Sequence, residues 1–121
     1  MLQVRALHKS YAGTEVLRGV DISVAAGECY GLLGPNGAGK TTTLRCCLGL
    51  TASDAGSIRL AGLPVPAAAR AARARTGVCP QFDNLDPDFT VAENLIVYGR
   101  YFGIARRAIL EKLPRLLEFA G

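Results

Sequence analysis

No run of about 18 apolar residues, the length a membrane-spanning helix needs, occurs in the 121-residue chain, although 50% of its residues are hydrophobic. The opening residues, Met1 to Arg5, lack the apolar core of a secretory signal, which points to the cytoplasm. Cys29, Cys46, Cys47 and Cys79 form no C-x-x-C pair, so neither a zinc site nor a disulfide framework is expected, and the four thiols read as small buried hydrophobes. His8 is the only histidine and has no Cys or carboxylate beside it in sequence, which suits a polar surface residue better than a catalyst. The net charge is +4, but the basic residues are scattered apart from Arg70, Arg73, Arg75 and the pair Arg106 and Arg107. Without interleaved aromatics this pattern predicts a solvated helical face and no nucleic-acid partner. No internal repeat is present, and no low-complexity tract beyond the Ala/Arg stretch.

What the chain does contain is Gly34-Pro35-Asn36-Gly37-Ala38-Gly39-Lys40-Thr41, which fits the phosphate-loop pattern G-x-x-x-x-G-K-[ST]. Three glycines let backbone N–H groups converge on an anion without obstruction by Cβ atoms. Lys40 would place a positive charge near the β- and γ-phosphates, and Thr41 a hydroxyl where Mg²⁺ would sit. A helix opening at Gly39 to Lys40 would direct its positive dipole end at the same phosphates. The flanks agree with the pattern. Cys29 to Leu33 predicts a short buried parallel strand, and Thr42 to Leu50 predicts a helix with Leu44, Cys47 and Leu48 on one face, ending at Gly49. The stretch therefore predicts an Mg-nucleotide site.

Before the loop, alternation of Leu2, Val4 and Ala6 predicts an opening strand, and Val16 to Val24 a second one broken at Gly19, together a small antiparallel element. Between them, His8 to Gly13 reads as a loop, on which Tyr11 is either an ordinary loop residue or a ring able to stack on a planar base. After the loop helix, Ser57 to Leu60 predicts a strand, Leu63 to Pro66 a stiff connector, and Ala67 to Arg75 a short helix broken by Thr76-Gly77. Val78-Cys79 reads as a strand stub stopped by Pro80, leading into the polar loop Gln81 to Asp88. Asp83, Asp86 and Asp88 lack the glycine and terminal Glu of a calcium loop, so capping and turn roles are expected of them. Thr90 and Glu93 have capping-box spacing and open a helix that should stop near Gly103. Ala105 to Phe119 is a further amphipathic segment, in which Pro114 predicts a kink or a division into two helices.

Taken together, Tyr11, the sequence Gly31 to Thr42, Gln81 after a short strand, and Thr90-Val91-Ala92-Glu93-Asn94-Leu95 resemble the N-terminal half of an ABC transporter nucleotide-binding domain over essentially the whole chain. Within that family, Pro64-Val65-Pro66, Ala72 to Arg75 and Pro80 to Asp86 are similar to the ATP-binding subunits that export nodulation factors in rhizobia, and to related ABC-2 type exporters. The resemblance implies an α/β P-loop NTPase fold, here partial, with residues 1–80 as ATP-binding core and 81–121 as glutamine loop and start of a helical subdomain. It implies ATP and Mg²⁺ as ligands, with Tyr11 stacking on adenine, Asn36, Gly37, Ala38, Gly39, Lys40, Thr41 and Thr42 around the phosphates, and Gln81 with Thr41 at the metal. Lys40 and Gln81 would act in catalysis. Transmembrane permease subunits and a second nucleotide-binding domain would be the partners, at the inner face of the cytoplasmic membrane, and the cargo would be a lipo-oligosaccharide.

The departures from the family pattern are as informative. The chain has no L-S-G-G-Q-like signature, no second apolar strand ending in Asp-Glu, and no histidine after the phosphate loop. The sequence thus reads as half of a catalytic domain, truncated at Gly121. Two other readings remain: a nucleotide-binding module that does not hydrolyse by itself, and a soluble ABC-type or P-loop ATPase outside transport.

Overall fold

The computed structural model describes residues 1–82 and 85–120, arranged as two compact units, Met1–Gly77 and Val78–Gly121. In the first unit, β1 (Leu2–Tyr11) and β2 (Thr14–Val24) form a long antiparallel ribbon. Their two-residue turn, Ala12-Gly13, has positive φ at both positions, as the hairpin turn matching strand twist requires. β3 (Ala55–Leu60) and β4 (Leu63–Val65) repeat the device with Ala61-Gly62. The sheet order is β2-β1-β3-β4, antiparallel throughout. His8 to Tyr11 is therefore strand and not loop, and Leu63–Val65 is a short strand and not a plain connector. Ala-Gly turns carry a weaker local signal than Asn-Gly, and Pro64 is tolerated because β4 is at the edge of the sheet.

Two helices cover the sheet. α1 (Lys40–Cys47) packs on β2 and β3, and α2 (Ala69–Arg73) on β4. The core gathers Val4, Leu7, Leu17, Ile22, Ile58, Val65, Cys46, Cys47 and Ala72. Simple alternation along β1 fails midway, because an irregularity between Val4 and Leu7 shifts the register there, with Ala6 at φ 44°. A one-residue bulge reverses which side chains face inward, so Leu7 and not Ala6 is buried. The displaced Ala6 N–H donates to Asp21 Oδ1 at 3.0 Å.

Cys29–Leu33 is not a strand. It has no regular secondary structure and no ladder partner among the described residues, with Leu33 93% exposed. Val78-Cys79 likewise lies outside any strand. Apolar runs suited to a parallel strand become strands only when neighbours supply the ladder, and the sheet described here is antiparallel throughout. Cys29 and Cys79 are accordingly exposed, against the expectation of burial, whereas Cys46 and Cys47 are buried as expected.

In the second unit, α3 (Val91–Tyr101) and α4 (Arg106–Ala120) pack together. A full capping box opens α3: the Thr90 hydroxyl accepts from Glu93 N–H, and the Glu93 carboxylate accepts from Thr90 N–H at 2.8 Å. Gly103 closes it, donating to Arg100 O. At Gly99, a Cβ would stand 2.6 Å from Ile109 Cδ1, so this glycine is what lets α4 approach. Pro114 neither splits α4 nor ends it. It removes only the bond to the Leu110 carbonyl, and that residue is exposed where solvent can replace it.

Candidate functional site

The phosphate-loop residues lie in the first unit. Gly39 is buried, with φ 85°, and precedes α1 as its N-cap. A Cβ at this position would meet Leu17 Cδ2 at 2.6 Å and the Val16 carbonyl at 3.2 Å, besides being strained by the left-handed backbone. The loop is thus bedded directly on β2, and only glycine fits. No side chain caps α1, and the first N–H groups of a helix have no acceptor within it. The amides of Lys40, Thr41 and Thr42 therefore form a converging set of donors at the positive end of the helix dipole.

Lys40 Nζ donates to Gly34 O at 2.6 Å and to Pro35 O at 2.7 Å, closing the loop on itself. An ammonium has three N–H donors, so this geometry holds a cation at the loop while leaving one donor for a ligand. The three threonines divide. Thr43 is buried and its hydroxyl donates to Gly39 O at 2.9 Å, tightening the first turn. Thr41 is exposed and Thr42 half-buried. Asn36, Gly37 and Ala38 are exposed on the loop, and Ala38 N–H donates to Pro35 O at 3.2 Å.

The far end of α1 is fixed as firmly. Leu50 N–H donates to Arg45 O and Gly49 N–H to Cys46 O, the paired bonds of a Schellman cap. Gly49, at φ 64°, leaves room for Ala69 of α2, whose Cβ would be 2.5 Å from an added Cβ. Arg73 Nη1 then donates to Leu48 O at 2.7 Å, putting a cation on the carbonyl end of the helix. The inward face of α1 is Thr43, Cys46 and Cys47, one step from the expected Leu44, Cys47 and Leu48. Leu44 instead lines a cleft of about 390 Å³ with Tyr30, Leu32, Leu60 and Thr76. Burial in the core pushes the Cys47 thiol up to about 11, so it stays protonated and inert.

Tyr11 ends β1 opposite Thr14 and is 46% exposed. Thr14 is two residues from Val16, about 7 Å along the strand, and Val16 is where Gly39 rests. The exposed ring and the phosphate loop therefore share one end of the β1–β2 ribbon. Gln81 is exposed in the second unit, in a stretch without helix or strand. Asp83 lies outside the described residues. Asp86 has the expected turn role, its Oδ1 accepting from Asp88 N–H at 3.0 Å.

Sequence reasoning missed Asn94. It is buried on α3, where its Nδ2 donates to the carbonyls of Asp86, Phe89 and Thr90, and its Oδ1 accepts from Asp86 N–H. One side chain thus fixes the segment that follows the glutamine loop. The signal available was a polar residue on the turn of α3 that follows the capping box, with a loop directly before it. Among the described residues no cluster of His, Cys, Asp and Glu could hold a metal ion, and no helix is long and apolar enough to cross a membrane.

This geometry has known counterparts. The family model for ABC transporters matches residues 17–120. The Nod factor export ATP-binding protein I of Paraburkholderia xenovorans (strain LB400) is 64% identical over 112 residues, which is 93% of this chain and 37% of that protein. The protein of the same name from Burkholderia lata is 60% identical over 119 residues, 98% of this chain and 39% of that one. A solved structure described as the ATP binding subunit of an ABC transporter superimposes with a TM-score of 0.87 at 30% identity, covering 98% of this chain and 49% of that one. The chain thus spans less than half the length of the proteins it matches, and within that span its strands, loop and helices follow the fold of an ABC ATP-binding subunit. With the family model matching from Leu17 to Ala120, the chain belongs to the ABC transporter family.

Proposed function

We propose that this chain is the ATP-binding part of an ABC transporter ATPase that powers export across the cytoplasmic membrane. The observation that carries the reading is the uncapped start of α1 bedded on β2 through Gly39, with the Lys40 ammonium held over the loop by two of its own carbonyls. In this reading the amides from Asn36 to Thr42 receive the phosphate oxygens. Lys40 exchanges its carbonyl partners for the β- and γ-phosphates. Tyr11 stacks on adenine through its exposed face. Thr41 would hold Mg²⁺, which neutralises phosphate charge when bound; its exposed hydroxyl fits that use, since Thr43 is already engaged with Gly39. Gln81, which the resemblance makes a second metal ligand, lies in the second unit.

Exposed apolar residues on the second unit, Phe82, Tyr101 and Phe102 among them, suit a surface that meets transmembrane permease subunits at the inner face of the membrane. A second nucleotide-binding domain would complete the site in the whole protein. The relatives are named for Nod factor export, and a lipo-oligosaccharide cargo remains part of the proposal. Residues 1–121 contain no signature motif and no strand ending in Asp-Glu, so we assign nucleotide binding to this chain and hydrolysis to the whole protein.

Calorimetric titration of Mg-ATP tests the assignment. Wild type should bind, and Lys40→Ala should lose at least about a hundredfold in affinity, the scale of a charge-assisted contact set. Equal binding by the two proteins would remove Lys40 from the site.

A further inference from the structure

Two charged residues beside the proposed base platform have no role in the reading above. Lys9 Nζ donates to Asp54 Oδ1 at 2.7 Å, and Asp54 Oδ2 accepts from Ser10 N–H at 2.6 Å. Asp54 N–H in turn donates to His8 O at 2.9 Å. One aspartate, from the turn before β3, thus grips three consecutive residues of β1 immediately ahead of Tyr11. The grip is firm for a surface pair: the Lys9 side chain is only 14% exposed.

Residues two apart on a strand point to the same side, and the Lys9 ammonium lies over the Tyr11 ring, 5.4 Å from its centroid. One face of the ring is therefore taken by a cation that is itself tethered. Tyr11 as a residue is nevertheless 46% exposed, and among the described residues no contact is seen on the ring face opposite Lys9. A cation on one face also draws π density toward itself, leaving the other face less negative and better suited to an electron-rich purine.

We propose that Asp54 and Lys9 are positioning residues for Tyr11: Asp54 fixes Lys9, Lys9 covers one face of the ring, and the base of the nucleotide stacks on the other. This rests on the reading of Tyr11 as base platform. The hydrogen bonds of Lys9 and Asp54 run to one another, to Ser10 and to His8 and not to the phosphate loop, so their influence is expected at the base.

The test titrates the 121-residue chain with two probes, Mg-ATP and Mg-tripolyphosphate, the second having the phosphates without a base. Lys9→Met, which keeps the stem and removes the charge, should weaken Mg-ATP about threefold to tenfold, the scale of a desolvated cation–π contact, and leave tripolyphosphate unchanged. Asp54→Asn should do the same to a smaller extent, and Lys9→Arg, which retains cation and ion pair, should keep wild-type affinity. In a Tyr11→Ala background, Lys9→Met should have no further effect on ATP. Equal losses for both probes would mean a merely structural role and would overturn the proposal, as would a Lys9→Met loss that persists without Tyr11, or no loss at all. If Tyr11→Ala itself leaves ATP affinity unchanged, the base platform fails and the positioning role fails with it, whereas a Tyr11-dependent affinity indifferent to Lys9 removes the positioning role alone.

Discussion

The two units of this chain are stabilised in different ways. In the first, nine buried residues from four strands and two helices form one apolar cluster, and the phosphate loop is bedded directly on it through Gly39 and Leu17. In the second, Ile109 is the one buried hydrophobic residue among those described, and order comes from local hydrogen bonds: the capping box, the glycine stop and the Asn94 clamp. The proposed phosphate site is thus seated on a core, while the segment after Gln81 and its helices depend on a few polar contacts and carry exposed apolar residues.

That contrast can be broken by substitution. Leu17→Ala should have the largest effect, about 4 kcal/mol of lost stability, because it opens a cavity in the cluster and removes the seat of Gly39. Ile109→Ala should cost about 2 kcal/mol, the low end for such a change, since α3 and α4 can close over the gap. Urea unfolding of both variants measures the pair. Equal losses would mean that the two units are equally core-dependent. Asn94→Ala should follow, at about 2 kcal/mol, because it removes the side-chain partner of the Asp86 amide and of the Phe89 carbonyl, whereas the Asp86 and Thr90 carbonyls keep the Phe89 and Asn94 amides. Its signature is local: faster hydrogen exchange at the Asp86 amide with the amides of β1 and β2 unchanged.

The smallest expected effect is the response to acid. The Lys9 and Ser10 bonds hold the Asp54 carboxyl below its ordinary range, and the Thr90 bonds do the same for Glu93. A carboxylate depressed in the folded state contributes stability fully above its unfolded value, about 4, and loses it as pH falls through the folded value. Melting temperature should therefore decline below about pH 4, less steeply in Asp54→Asn and Glu93→Gln, with the first variant altering the β1 contacts and the second only α3.

What the sequence made legible was local. The start of the loop helix at Lys40 and the Thr90 and Glu93 cap follow from spacing over four to eight residues, and each is present. What it hid depends on partners distant along the chain. Cys29–Leu33 has the composition of a buried strand but no ladder beside it among the described residues, and composition cannot report that. The register shift after Val4 exchanges Ala6 for Leu7 in the core, a one-residue event that an alternating pattern does not mark. Thr43 was readable in principle, since its hydroxyl reaches back four residues to Gly39. Arg73 was not, because its target, the Leu48 carbonyl, is 25 residues away.

The proposed phosphate site draws its loop and its seat from residues of the first unit. Amide NMR spectra of the 121-residue chain with and without Mg-ATP test it most directly. Shifts are expected at Gly37, Gly39, Lys40, Thr41 and Thr42, abolished by Lys40→Ala, with the amides of α3 and α4 unmoved. Unchanged loop amides at saturating nucleotide, or shifts confined to α3 and α4, would contradict it.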